Sequence, residues 1–198
     1  MNLIANCCAG GEFYIRVLKD KFSNPFIWSS IAPKDMINLI LSYDNLNFEN
    51  IEFLKDTKTL ERFSILIDGK IRVHFPHHRF KADCKKPLTI KPNVFYNKIW
   101  ELLEENWNTR VKRMKDIPVF LILTHRLHDE YTYSNCSDKD IEKILNLNTK
   151  FKIILMSPLD LKSTKKNILC IRCNTVDHVK CITEYKDKIL GFINESTL

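Results

Sequence analysis

Glycine is scarce in this chain, with only four residues among 198, and two of the four stand together as Gly10-Gly11 behind Cys7-Cys8. Long apolar runs are also absent: no stretch approaches the about 18 residues that a membrane-spanning helix needs. The N-terminal sequence lacks a basic segment followed by a long apolar core, so we expect no secretory signal. No block of five or six basic residues occurs, which argues against a nucleic-acid-binding tail.

The composition is that of an ordinary globular protein, with 44% apolar and 28% charged residues. We expect a single domain over residues 1–198. Seven cysteines, an odd number without an export signal, indicate free thiols and a cytoplasmic location. The net charge of +7 suits an anionic small molecule or carrier and is compatible with peripheral association with a membrane.

Strand and helix patterns alternate along the chain. Asp68-Gly69 between two apolar-rich runs predicts a β-hairpin. The buried run IPVFLIL (117–123) is typical of a strand covered on both sides. Further strands are predicted at 2–5, 151–156 and 167–173, and helices at 11–20, from Pro33 onward, 93–115, 138–147 and 176–194. The pattern predicts an α/β (α+β) fold with a mixed, partly parallel central sheet flanked by helices.

A thiol at the start of a helix is the first candidate for chemistry. The helix dipole favours the thiolate form, which is the nucleophile. Gly10 and Gly11 would let a substrate carbonyl approach the backbone amides, as an oxyanion site requires. We therefore predict Cys8 as nucleophile, with Cys7 turned into the core. The alternative is a pair of structural cysteines at a tight turn.

A nucleophilic thiol needs an imidazole, and VHFPHH supplies His74, His77 and His78 at the end of a hairpin strand. His77 follows Pro76, where the strand ends, so we predict His77 as the base. A partly exposed histidine cluster is the alternative reading. Metal binding with Asp83 and Cys84 is a third.

Three segments together resemble a bacterial family of uncharacterised proteins assigned to exopolysaccharide biosynthesis, and the neighbouring putative papain-like cysteine peptidases. They are ANCCAGGEFYIRVLKDKFSNPFIWSSIAPKDMINLI, DGKIRVHFPHH and NWNTRVKRM. The resemblance covers residues 2–124 and implies a papain-like Cys–His site at Cys8 and His77. It also implies substrate binding by Trp107, Arg110 and Arg113. Ala9 and Cys7 depart from the pattern, which expects an aromatic residue and an asparagine there.

Arg110 and Arg113 lie three residues apart and so share a helix face. Two guanidinium groups there can grip a carboxylate or phosphate. The alternative is a solvated basic helix end. A third catalytic residue, which orients the histidine in papain-like sites, is not distinguished among Asn6, Asp83 and Asp129. His125 and His128 follow a buried strand and are further candidates for the site.

A rival motif lies near the C-terminus. It consists of Cys170, Cys173, His178 and Cys181, three thiols and an imidazole that can bind zinc. Buried structural cysteines explain the same residues, and we expect no metal and no cofactor.

The sequence thus predicts a cysteine–histidine enzyme that transfers or hydrolyses an acyl group on an ester or amide. The resemblance places it in capsule or exopolysaccharide biosynthesis, with an anionic or carrier-bound acyl donor and a sugar or polysaccharide acceptor. The alternatives are a glycosyltransferase and a non-catalytic sugar- or nucleotide-binding protein of the same pathway.

Overall fold

The strands in the described part of the chain form two sheets. The computed structural model describes residues 2–7, 9–19, 24–26, 29–55, 63–75, 104–114, 116–124, 135–173 and 177–195. The strands are β1 (Asn2–Ala5), β2 (Ile51–Lys55), β3 (Phe63–Ile67), β4 (Ile71–Phe75), β5 (Pro118–Leu123), β6 (Lys152–Ser157) and β7 (Ile168–Arg172). A four-stranded parallel sheet has the order β1-β5-β6-β7, and a three-stranded antiparallel sheet has the order β2-β3-β4.

The helices connect and cover these sheets. They are α1 (Ala9–Phe13), which continues as a π-helical turn (Tyr14–Leu18), α2 (Pro33–Ser42), α3 (described over residues 104–111), α4 (Asp138–Asn146), α5 (His178–Glu184) and α6 (Lys186–Asn194). Within the described ranges, no helix combines the length and apolar character that crossing a bilayer requires.

The parallel sheet is buried on both faces, and alternate residues of each strand enter two different apolar clusters. Ile4, Phe120 and Ile153 face α2, α4 and the antiparallel sheet. Leu3 and Leu121 face α1, α5 and α6. All six residues of β5 are buried, as expected for a parallel strand covered by helices on both sides.

The predicted α/β class is confirmed, with one difference in the arrangement of strands. The hairpin β3–β4 belongs to its own antiparallel sheet and does not extend the parallel one. Its turn has positive φ at Asp68 (50°) and Gly69 (66°), as the Asp-Gly signal predicts. The strand β2 was not predicted. The helix predicted at 11–20 begins two residues earlier, at Ala9, and its second half is a π-helical turn that ends at Leu18; the helix predicted at 176–194 is interrupted at Tyr185.

Gly10 allows α1 to pack directly on β1. A Cβ atom at this position would lie 3.2 Å from Ala5 Cβ, whereas one at Gly191 in α6 would meet nothing within 4 Å. The first position therefore requires glycine for close packing, and the second does not.

We expect Gly10→Ala to lower the free energy of unfolding by about 1–2 kcal/mol because the new methyl group overpacks the α1–β1 contact. Gly191→Ala, the matched control, should raise it by about 0.5–1 kcal/mol because alanine favours the helix. Urea denaturation of both variants measures the contrast. Adding Ala5→Gly to Gly10→Ala should restore part of the loss, and no restoration would show that the contact is not the cause.

Candidate functional site

Asn6 attaches the turn that carries the cysteines to β5 through hydrogen bonds. It is fully buried, and its Nδ2 donates to Leu123 O at 2.9 Å while its Oδ1 accepts from Leu123 N at 3.0 Å. Its backbone N–H donates to Leu121 O at 3.1 Å. Asn6 therefore extends the pairing of β1 with β5 past the end of the strand, as far as the residue before Cys7.

The same residue is connected to the antiparallel sheet through residues 30 and 31. The Asn6 carbonyl accepts from Ile31 N at 3.1 Å and from Ser30 Oγ at 3.3 Å. Ser30 in turn forms an antiparallel bridge with His74, through Ser30 N to His74 O at 2.7 Å and His74 N to Ser30 O at 2.9 Å. We call Asn6, Ser30, Ile31 and His74 the bridging network.

The two catalytic residues predicted from the sequence, Cys8 and His77, lie outside the described residues. Their described neighbours, Cys7 and Phe75, lie at the two ends of the bridging network. Cys7 is 1% exposed and packs in the apolar cluster with Ala5 and Ala9. Since that burial hides its sulfur, Cys7 is unsuited to attack a substrate.

The predicted third members of the catalytic site have different positions. The Asn6 side-chain amide donates to Leu123 O and accepts from Leu123 N, so neither of these two hydrogen bonds orients a histidine. Asp83 and Asp129 lie outside the described residues, as do His125 and His128. Thr124, which follows β5, is fully buried, and its Oγ1 has no hydrogen-bond partner in the described part of the chain.

Gly10 and Gly11 are buried within α1. The Gly10 N–H donates to Cys7 O at 3.3 Å. It is therefore occupied within the turn, and the role of Gly10 and Gly11 in substrate binding stays a prediction. The structure gives Gly10 a packing role against Ala5.

Trp107 is 5% exposed and belongs to the core. Its indole Nε1 donates to Phe48 O at 2.7 Å, and its ring stands edge-on to Phe26 and Phe75 at centroid distances of 5.5 and 6.3 Å. These contacts attach α3 to the antiparallel sheet.

Arg110 is half-buried and Arg113 is exposed at the end of α3. Burial, and next the charge of Arg113, hold the pKa of the Arg110 guanidinium below its ordinary value. Neither guanidinium forms an ion pair with another described residue. Arg113 lies five residues before Pro118, where β5 begins, and β5 begins at the end of the parallel strands opposite to the end that Cys7 follows. Their role in substrate binding stays a prediction.

The cysteines near the C-terminus divide between the two faces of the parallel sheet. Cys170 packs against the cluster under α2 and α4, whereas Cys173 and Cys181 lie in the cluster under α5 and α6. A hydrogen bond from Cys173 to Cys181, the largest effect, and then burial raise the pKa of the Cys173 thiol. The three thiols therefore do not converge on one point. Among the residues that the structure describes, no three potential ligands gather as a metal site.

A groove of about 430 Å³ lies between α4 and residues 159–165. Its floor includes Ile141, Leu145 and Leu161, and its rim includes Glu142 and Lys162. None of its lining residues belongs to the bridging network.

Two sequence comparisons relate the chain to known proteins. Residues 1–91, which contain Cys7, Cys8 and the strand β4 with His74, match the family described as "Domain of unknown function (DUF1919)". The chain is 23% identical over 150 residues to an uncharacterized protein of Haemophilus influenzae; the match covers 76% of this chain and 58% of that relative. No solved structure matches. These descriptions name no activity.

Proposed function

We propose that the chain is a cysteine–histidine-dependent acyl-transfer enzyme, an acyltransferase or an amide or ester hydrolase. Cys8 is the nucleophile, and an imidazole from the end of β4, predicted as His77, transfers the proton. The observation that supports this most is the bridging network. It connects the turn before Cys8 to the strand before His77, although these segments lie about 70 residues apart in sequence.

The reaction follows the usual chemistry of an activated thiol. The imidazole takes the thiol proton, and the thiolate attacks the carbonyl carbon of the substrate to form a tetrahedral intermediate. The protonated imidazole then gives its proton to the leaving amine or alcohol, which leaves a thioester. A sugar hydroxyl or water, deprotonated by the same imidazole, attacks the thioester and releases the thiol.

The burial of Cys7 supports the choice of Cys8 within the pair. Cys7 is 1% exposed, so a substrate does not reach its sulfur in this conformation.

The proposed pathway is surface-polysaccharide biosynthesis, and its support is the resemblance in sequence. An anionic or carrier-bound acyl donor and a sugar or polysaccharide acceptor follow from that pathway. In this proposal Arg110 and Arg113 bind an anionic part of the donor.

A second candidate is a non-catalytic sugar-phosphate- or nucleotide-binding protein of the same pathway. The half-buried Arg110, which has no acidic partner among the described residues, favours an anion at that position. This candidate needs no reactive thiol, so one experiment separates the two functions.

We expect iodoacetamide at pH 7 to alkylate Cys8 at least tenfold faster than the other six cysteines, because only the thiolate reacts. Peptide mapping by mass spectrometry identifies the site. Cys8→Ser should remove the fast phase, and Cys170→Ser, which replaces a half-buried cysteine, should leave it unchanged. Seven slowly reacting thiols would contradict the enzyme and favour the binding protein.

A further inference from the structure

Cys173 and Cys181 are two buried thiols that contact each other. Cys173 follows β7, and Cys181 lies in α5, eight residues further along the chain. Both belong to the apolar cluster under α5 and α6, where the two residues are 3% and 2% exposed. A side-chain hydrogen bond connects the two thiols. The sulfur atoms therefore meet in the reduced protein.

Backbone hydrogen bonds hold both residues in place. The Cys173 N–H donates to Ser157 O at 2.7 Å and so continues the pairing of β7 with β6. The Cys181 N–H donates to Asp177 O at 2.9 Å, and the Cys181 carbonyl accepts from Tyr185 N at 3.1 Å. The contact between the thiols thus joins two segments of regular backbone. A disulfide, in which the sulfurs lie about 2 Å apart, forms most readily between cysteines that already face each other.

The other described cysteines are placed differently. Cys136 and Cys170 pack in the apolar cluster on the opposite face of the parallel sheet. Cys7 follows β1, which is three strand spacings, about 14 Å, from β7. Since a disulfide needs Cα atoms within about 7 Å of each other, Cys181 is the disulfide partner that the fold offers to Cys173 among the described cysteines.

The hydrogen bond also makes the two thiols unequal. As its largest effect it lowers the pKa of the Cys181 thiol, whereas burial and the charges of Glu184 and Asp177 act in the opposite direction. The same bond raises the pKa of the Cys173 thiol. Cys181 is therefore the first of the pair to form a thiolate, the species that attacks an oxidant.

We propose that Cys173 and Cys181 are a redox-sensitive pair that hydrogen peroxide converts to a disulfide. The Cys181 thiolate attacks one peroxide oxygen and breaks the O–O bond, which gives a sulfenic acid. The leaving hydroxide takes up the proton that Cys181 released and becomes water. The Cys173 sulfur then attacks the Cys181 sulfur, and the Cys173 proton passes to the departing hydroxide to form a second water. The two sulfurs together lose two electrons, which the peroxide gains.

The disulfide is reversible and lies beside the candidate site. A dithiol reduces it by exchange and is itself oxidised to a disulfide. The bond ties the end of β7 to α5, and α5 packs against α1, the helix that follows the cysteine turn. Oxidation therefore restrains a helix next to that turn. Neither step needs a sulfur without other hydrogen bonds, and the inference does not rest on the proposed function.

The sequence allows a direct test because trypsin separates the two cysteines. Cleavage after Arg172, Lys180 and Lys186 places Cys173 in one peptide and Cys181 in the next. The folded protein is treated with hydrogen peroxide at pH 7, and the remaining thiols are blocked with iodoacetamide. The digest is then analysed by mass spectrometry with and without dithiothreitol.

We expect the two peptides to appear as one disulfide-linked species in the wild type and to separate after treatment with dithiothreitol. Cys170→Ser, which replaces a half-buried cysteine of β7, is the matched control and should give the linked species in equal yield. In Cys173→Ser, dimedone should trap a sulfenic acid on Cys181, whereas Cys173 should stay unlabelled in Cys181→Ser. Circular dichroism confirms that each variant is folded.

Three results overturn the inference. They are a folded wild type in which peroxide does not link the two peptides, a linkage of Cys181 to Cys7 instead, and a linkage that forms only after the protein is unfolded in urea. Amide hydrogen exchange of residues 178–184 should slow in the oxidised protein, and unchanged exchange would contradict the restraint of α5. Because the readout is this pair of peptides, its failure leaves the function proposed for Cys8 standing.

Discussion

Asn6→Asp should lower the free energy of unfolding by about 3–5 kcal/mol at pH 7, the cost of an uncompensated buried charge. One aspartate oxygen can still accept from Leu123 N, but the other replaces the Nδ2 donor and faces the Leu123 carbonyl. Urea denaturation measures the loss. Since a typical domain is stable by about 5–15 kcal/mol, this change removes a large part of the total.

The loss in Asn6→Asp should also depend on pH. Burial raises the pKa of the introduced carboxyl above its value in the unfolded chain. Stability is therefore retained below the unfolded pKa and falls as the pH rises toward the folded one. Asn38→Asp, on the exposed side of α2, is the matched control and should change stability by less than about 0.5 kcal/mol. Equal losses of stability in both variants would show that the Asn6–Leu123 hydrogen bonds do not stabilise the turn.

Trp107→Ala should lower the free energy of unfolding by about 3–5 kcal/mol because it removes a buried aromatic side chain and leaves a cavity between Phe26 and Phe75. Trp107→Phe keeps most of the volume but leaves Phe48 O without its donor, so we expect a smaller loss of about 1–2 kcal/mol. Thermal unfolding followed by calorimetry distinguishes the two.

The pair of tryptophan variants also separates a structural role from the predicted substrate contact. If Trp107 is structural, Trp107→Ala lowers stability more than Trp107→Phe does, and neither variant changes the alkylation rate of Cys8 in the folded protein. A loss of ligand affinity in a Trp107→Phe protein of full stability would contradict that role and favour direct binding.

The sequence predicts the fold where the signal is local. The all-apolar run of β5 predicts a buried strand, and the Asp68-Gly69 pair predicts a tight turn; both predictions are confirmed. The strand β2 was missed because its sequence, IEFLK, does not alternate clearly between apolar and polar residues, and its partner β3 supplies the pairing.

The candidate site was less predictable because its contacts are long-range. Asn6 is hydrogen-bonded to Leu123, 117 residues away, and no pattern within a short stretch of sequence predicts that contact. Ser64 and His74 are close in sequence, but their pairing depends on the length of the loop: residues 68–70 separate the paired Ile67 and Ile71, and this register places Ser64 opposite His74. Counting outward from a two-residue Asp-Gly turn would have placed Ser64 opposite Val73, one residue away from the observed partner.

The pairing of β1 with β5 has a consequence for biosynthesis. Asn2 pairs with Pro118, so 116 residues separate neighbours in the parallel sheet. A ribosome adds about 5–20 residues per second, so β5 is synthesised on the order of 10 s after β1. During this interval β5 is not available to hold the cysteine turn, so the reactivity proposed for Cys8 can arise only after translation has passed β5.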